Sequence, residues 1–131
     1  EHRGTSEGDN VRAALSICQW KHPGNKDGYA TEISDVTCRN LYFDDIQSDG
    51  TYIFVWQMPG QTESSYIRNL VFENIEINDA NRVKNPVFQA VTNENHILGM
   101  TVSNFTISGK KVLSAGRDFR CSGNISDLSI N

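Results

Sequence analysis

The sequence is poor in the residues that build helical bundles and disulfide scaffolds. Leu and Ala occur six times each, whereas Ile, Val and Thr occur 11, 9 and 8 times. β-Branched residues favour strands over helices, so this balance argues against a helical bundle. Only three cysteines are present, with no C-x-x-C pair and no zinc-type spacing. No metal site is therefore expected, and an odd count excludes a fully paired intrachain framework.

Long apolar runs and a positive net charge are also missing. No stretch approaches the ~20 apolar residues that are needed to span a bilayer. The formal net charge is −4, so neither nucleic acid nor an anionic membrane is an expected partner. No cofactor is expected either. What the chain does have is 13 Asn and 10 Gly, which indicates many turns between short strands.

Four segments of the chain align without gaps, and their starts are 34, 30 and 28 residues apart. Counted from a leading Ile, apolar residues recur at offsets 0, 3, 5, 8 and 10. Offset 7 is Asn in all three complete copies. The segments are Ile33–Phe43, Ile67–Ile77, Ile97–Ile107 and the shorter Ile125–Asn131, and the offset-7 residues are Asn40, Asn74 and Asn104.

Within each copy, offsets 3 and 5 and offsets 8 and 10 form two short strands with a period of two. The alternation slips by one residue at the Asn, which predicts a corner there, because Asn tolerates unusual backbone angles. If the copies stack, the three Asn side chains would form a ladder. We expect its amides to satisfy buried polar groups inside the bend.

Copies of about 30 residues are too small to bury their own apolar faces, which indicates a solenoid. Further strand-like stretches lie between the copies, at Val11–Ile17, Tyr52–Trp56 and Val87–Val91. The sequence thus predicts an all-β, right-handed parallel β-helix of about four coils, with offsets 3 and 5 pointing inward and stacked ~4.8 Å apart. Leucine-rich repeats would need more Leu. An antiparallel sandwich stays open as an alternative, because Asp-Gly turns occur at residues 27–28 and 49–50.

The segments Tyr66–Ile77 and Val102–Val112 resemble the coils of pectin-lyase-like β-helix proteins, and most of all those of polygalacturonase-type and dextranase-type glycoside hydrolases. Ile107–Val112, followed by one short rung, looks like the C-terminal coils of such proteins. The resemblance implies that residues 1–131 are a single β-helix domain or the C-terminal fragment of a larger one. It also implies a polysaccharide or oligosaccharide partner and an extracellular or periplasmic location.

The catalytic motifs of polygalacturonases are not present: the chain has no Asn-Thr-Asp, no Gly-His-Gly and no Arg-Ile-Lys. Asp44 and Asp45 form the adjacent acidic pair closest to that pattern, so they are the candidate catalytic residues. Glycoside hydrolysis needs two carboxylates ~5–9.5 Å apart across the scissile bond. The competing interpretation of Asp44 and Asp45 is a solvated corner after a strand.

Aromatic residues suggest where a sugar would bind. Trp20 and His22 begin a long polar loop and are candidates for a substrate-binding rim, because sugars stack on aromatic faces. The alternative for Trp20 is a ring that shields the core at the base of the loop. Tyr52, Phe54 and Trp56 alternate along a strand, so we expect all three to share one face and to pack.

The preferred interpretation is the C-terminal part of a carbohydrate-active β-helix protein, a polysaccharide hydrolase whose catalytic carboxylates lie mostly outside this chain. The alternative is a non-catalytic glycan-binding or structural module of the adhesin or tailspike type. The N-terminal edge of the stack has no amphipathic helix to cover it. We therefore expect that edge to be covered by further coils, a second chain or another copy of the same chain.

Overall fold

The computed structural model describes residues 13–19, 32–44, 51–57, 66–79 and 85–131, except for the side chains of residues 93–96 and 123–124. Within these ranges the fold is all-β, as predicted. No helix there is long and apolar enough to cross a bilayer. The strands are β1 (Ala13–Gln19), β2 (Glu32–Ser34), β3 (Thr37–Asp44), β4 (Thr51–Gln57), β5 (Tyr66–Asn78), β6 (Phe88–Ile107), β7 (Lys110–Lys111) and β8 (Phe119–Ile130).

The strands pair in parallel, apart from the short β7, which forms a hairpin with the end of β6. A first stack contains β1, β4 and the beginnings of β6 and β8. A second stack contains β2, β3, β5 and the ends of β6 and β8. The long strands β6 and β8 therefore belong to both stacks, and their pairing shifts register between Thr92 and Ile97. The antiparallel alternative is wrong for this part of the chain.

The register of the second stack matches the sequence alignment position by position. Cys38 is in register with Phe72, Phe72 with Val102 and Val102 with Ile130, which is the column predicted at offset 5. Leu70, Met100 and Leu128 form the offset-3 column in the same way. The stacking of these two offsets in parallel strands is confirmed.

The core lies between the two stacks. In β5 the residues at all five apolar offsets are at most 1% exposed: Ile67, Leu70, Phe72, Ile75 and Ile77. Phe88 of the first stack packs edge-on against Phe72 of the second, with ring centroids 5.3 Å apart. Phe88 also stacks face to face on Phe119 at 4.0 Å. Apolar burial of this kind stabilises by roughly 25 cal/mol per Å² and holds the stacks together.

The offset-7 asparagines form the predicted ladder. Asn40, Asn74 and Asn104 have φ angles of 58°, 54° and 49°, in the left-handed region that Asn tolerates. The Nδ2 of Asn74 donates to Oδ1 of Asn40 at 3.1 Å, and Nδ2 of Asn104 donates to Oδ1 of Asn74 at 2.7 Å. The expected burial of these amides is wrong: all three residues are exposed. The flanking offsets 5 and 8 both point inward, so the corner residue between them points outward.

A second column of left-handed residues lies at offset 2. Asn69 donates through Nδ2 to Oδ1 of Asp35 at 3.0 Å. On the other side of Asn69, a Cβ at Gly99 would lie 3.2 Å from Oδ1 of Asn69, so glycine leaves room for the amide. Asp35, Asn69, Gly99 and Asp127 have φ angles of 58°, 51°, 79° and 52°. This bend explains why the apolar offsets 0 and 3 are three positions apart, rather than the two of a regular strand.

Candidate functional site

Of the four residues predicted for the site, the structure describes one. Asp44 ends β3, is exposed, and accepts a hydrogen bond of 2.6 Å from Nδ2 of Asn78, its register neighbour in β5. Its carboxylate is therefore placed beside an amide, as in the columns at offsets 2 and 7. Asp45, Trp20 and His22 lie outside the described residues.

The aromatic residues of β4 separate into two environments. Tyr52 is fully buried in the core cluster, where its ring packs edge-on against Phe43 with centroids 6.2 Å apart. Phe54 and Trp56 lie outside that cluster, and their centroids are 6.1 Å apart. Because Val55 between them is fully buried in the core, the alternation of a strand points Phe54 and Trp56 outward.

The prediction that all three rings share one face is thus wrong for Tyr52. The backbone N–H groups of Tyr52 and Ile53 both donate to the carbonyl of Val87, at 3.0 and 3.1 Å. Two consecutive donors on one acceptor break the alternation at the start of β4. The ring of Tyr52 therefore turns to the core, while Phe54 and Trp56 keep the outward direction.

Polar side chains continue the surface around this aromatic pair. Phe54 is in register with Gln89, which is in register with Arg120. Trp56 is likewise in register with Val91, which is in register with Ser122. Arg120 is exposed and Phe54 is 8% exposed. The other four residues are half-buried: Trp56, Gln89, Val91 and Ser122. We call these six residues the outer face: Phe54, Trp56, Gln89, Val91, Arg120 and Ser122.

An open cleft of about 710 Å³ lies where the segment between β6 and β8 meets the end of β5. The segment is held in shape by backbone hydrogen bonds. The Val112 N–H donates to the Phe105 carbonyl at 2.8 Å, and the Gly116 N–H donates to the Phe119 carbonyl at 2.8 Å. The hairpin turns at Gly109, whose φ of 79° suits glycine. These bonds define the backbone path of the segment that lines the cleft.

Two carboxylates from different parts of the chain line this cleft. Asp79, just after β5, is 4% exposed, and its Oδ1 accepts a hydrogen bond of 3.0 Å from the Tyr52 hydroxyl. Its backbone N–H donates to Oγ of Ser108 at 3.2 Å. Asp118, just before β8, is half-buried and lines the cleft as well. Sequence reasoning missed both residues, because each is a single Asp in a connecting segment outside the repeat.

The structure describes all three cysteines. Cys18, Cys38 and Cys121 are free thiols and are half-buried. Burial raises the pKa of all three above the ordinary value, that of Cys121 to about 11. The thiolate is the nucleophilic form, so raised pKa values disfavour reactivity at neutral pH. Within the described ranges, no three His, Cys, Asp or Glu residues cluster as metal ligands would.

The chain matches no protein-family model, no curated protein and no solved structure. A functional conclusion therefore depends on the chemistry of the outer face and of the cleft.

Proposed function

We propose that this chain is part of a carbohydrate-active, right-handed parallel β-helix protein that acts on extracellular polysaccharides, in the first place as a glycoside hydrolase. The β-helix is supported by two parallel stacks whose paired strands come from successive copies of a repeat of about 30 residues. It is further supported by the columns at offsets 2 and 7, where left-handed residues recur on successive strands.

The observation that carries the proposal is the outer face. Trp56 is half-buried and packs beside Phe54, which is 8% exposed, so Trp56 is the ring that a sugar can reach. Gln89 and Arg120 follow Phe54 in register on the next strands. An aromatic ring offers an apolar surface to the C–H face of a sugar, while amide and guanidinium groups bind its oxygens. These aromatic, amide and guanidinium groups lie on successive strands ~4.8 Å apart, which suits contact with an extended polymer.

The alternative is a non-catalytic, glycan-binding or structural module. The position of Asp44 favours this alternative, because its carboxylate is bonded to Asn78 in the manner of a ladder residue. Asp118 favours hydrolysis, which needs a pair of acids, because it brings one half-buried carboxylate to the cleft. The two functions share glycan binding and differ in bond cleavage, so binding and cleavage are tested separately.

Binding is tested by affinity electrophoresis through gels that contain pectin, dextran or xylan. Trp56→Ala is expected to weaken retention roughly tenfold, because loss of one stacking ring removes about 1.4 kcal/mol. Tyr42→Ala is the matched control, since Tyr42 is 61% exposed and belongs to the second stack. Equal retention of the two variants, or no retention on any gel, would rule out a glycan-binding outer face.

Cleavage is tested by release of reducing ends from the polysaccharides that are retained. Release that is lost on Asp44→Asn or Asp45→Asn would identify the predicted pair as catalytic. Release that survives both changes but is lost on Asp118→Asn would move catalysis to the cleft. Retention without release of reducing ends would favour the non-catalytic module.

A further inference from the structure

The cleft lined by the segment between β6 and β8 is the strongest candidate for a further binding site. Its volume of about 710 Å³ falls in the range of small-molecule sites, typically 300–1,000 Å³. Its floor is apolar and buried: Ile107 is 8% exposed and Phe119 is 2% exposed. Its walls are fixed by the hairpin and by the two backbone hydrogen bonds of Val112 and Gly116. A ligand would therefore meet a site that is already formed, at a low cost in ordering.

The charges around the cleft balance each other. Its acidic residues are Asp118, which is half-buried, and Asp79, which is buried, and its basic residues are Lys110 and Lys111, which are exposed. A carboxylate accepts several hydrogen bonds at once, and an ammonium group donates up to three. An anionic ligand that pairs with the lysines also meets the carboxylate of Asp118, and a cationic ligand that pairs with Asp118 also meets the lysines. An uncharged ligand with many hydroxyl groups can use both.

The rim adds an apolar contact. Leu113 is 68% exposed, which makes it the most exposed large apolar residue in the described part of the chain. It lines the cleft next to Val112, which is half-buried. An apolar rim beside hydrogen-bonding walls can cover the C–H face of a sugar ring by apolar contact.

The cleft also adjoins the outer face. Asp118 lines the cleft and directly precedes β8, and Arg120 of the outer face follows two residues later. Two residues of a strand span only ~7 Å, so one oligosaccharide can reach from the cleft to the outer face. We infer that the cleft binds the terminal unit of an uncharged oligosaccharide whose remaining units extend along the outer face. This inference rests on the proposed function, and it adds the charge class of the ligand and a site for its end.

The test is isothermal titration calorimetry with three uncharged trisaccharides, isomaltotriose, cellotriose and xylotriose, and with trigalacturonate as the charged probe. At least one uncharged probe is expected to bind more tightly than trigalacturonate. Leu113→Ala is expected to weaken that binding severalfold. Because Leu113 is exposed, this change leaves the core intact, and an unchanged melting temperature is the check.

Asp118→Asn supplies the charge test. The change is expected to lower the affinity for the uncharged probe severalfold and to raise the affinity for trigalacturonate. It removes a charge that repels trigalacturonate and keeps the shape of the side chain. Asp127→Asn is the matched control. Asp127 is exposed, is outside the cleft, and has a φ of 52° that Asn tolerates, so both affinities should stay the same.

The outcomes separate this inference from the proposed function. If polysaccharides are retained through Trp56 but no uncharged trisaccharide binds, the inference is wrong and the proposed function stands. The inference is also wrong, and the proposed function stands, if a trisaccharide binds and neither Leu113→Ala nor Asp118→Asn changes its affinity. If a trisaccharide binds through Leu113 and Asp118 while no polysaccharide is retained, the cleft site stands and the proposed function fails.

Discussion

At the scale of single residues, asparagine does two things at the corners of the second stack. Its backbone takes the left-handed conformation, which costs most other residues roughly 1–2 kcal/mol. Its amide both donates and accepts, so one Asn can bond the strands above and below. Asn74 does both, since it donates to Asn40 and accepts from Asn104. These bonds are exposed, so each contributes at the lower end of the usual 0.5–1.5 kcal/mol.

We predict that Asn74→Ala lowers the free energy of unfolding by about 2 kcal/mol. Roughly half of this is the left-handed φ of 54°, and the rest is two exposed hydrogen bonds. Urea denaturation measures the change. Asn74→Gly should cost less, since Gly keeps the backbone angle and loses only the amide. Glu76→Ala, at an exposed site in the same strand, is the control, and a loss as large as that of Asn74→Ala would refute the role of the ladder.

At the scale of the strands, the first stack holds a buried polar column at its end. Gln57 is 1% exposed and Gln19 is 3% exposed, and Nε2 of Gln57 donates to Oε1 of Gln19 at 2.8 Å. Oγ1 of Thr92 donates to Oε1 of Gln57 at 3.1 Å, and Nε2 of Gln19 donates to the Tyr66 carbonyl at 2.8 Å. The column thus links β1, β4 and β6 to the start of β5, and it specifies the register in which they pair.

We predict that Gln57→Leu destabilises the fold by about 2–4 kcal/mol. It removes the central amide and leaves Gln19 and Thr92 without the hydrogen bonds that they make to it, and each buried polar group that loses a partner costs about 1–3 kcal/mol. Thermal unfolding measures the effect. Gln89→Leu is the control, because Gln89 is half-buried on the outer face. If both variants melt at the same temperature, the buried column contributes no specific stability.

At the scale of the whole molecule, the described strands at both ends of the stacks have a single neighbour: β8 pairs only with β6, and the N-terminal end is open in the same way. Among the described strands, β1 pairs only with β4, and β2 and β3 pair only with β5. The apolar residues there are less buried than their partners: Leu41 is half-buried, whereas Ile75, its register neighbour, is 1% exposed. Unpaired strand edges with apolar side chains are sites of association. We therefore propose that further coils, a second chain or another copy covers this edge.

We predict that the isolated chain self-associates through β3. In sedimentation equilibrium, its average molecular mass should rise with protein concentration. Leu41→Lys should shift the chain towards the monomer, because it places a charge beside the open edge. Thr37→Lys is the control, since Thr37 is exposed on the outer side of the same strand. A monomer at every concentration, or equal behaviour of the two variants, would contradict self-association.

Much of the second stack was predictable, because its determinants are local. Apolar offsets, the slip at Asn and the common spacing follow from the alternation of side chains along a strand. The same reasoning placed the ladder amides inside the bend, which was wrong. The offset-2 column was missed because Asp35, Asn69 and Gly99 share a backbone conformation and not a side chain.

The sequence by itself determined that the chain is all-β, that its copies stack in parallel, and which apolar residues form the inner columns of the second stack. A periodic pattern suffices for this, since every copy must bury the same offsets. Only the tertiary structure decided that Tyr52 turns to the core, that Gln19 meets Gln57, and that Asp79 and Asp118 line one cleft. These contacts join residues that are far apart in the chain and lie outside the repeat. Their geometry depends on how the connecting segments close onto the strands, which no local pattern encodes.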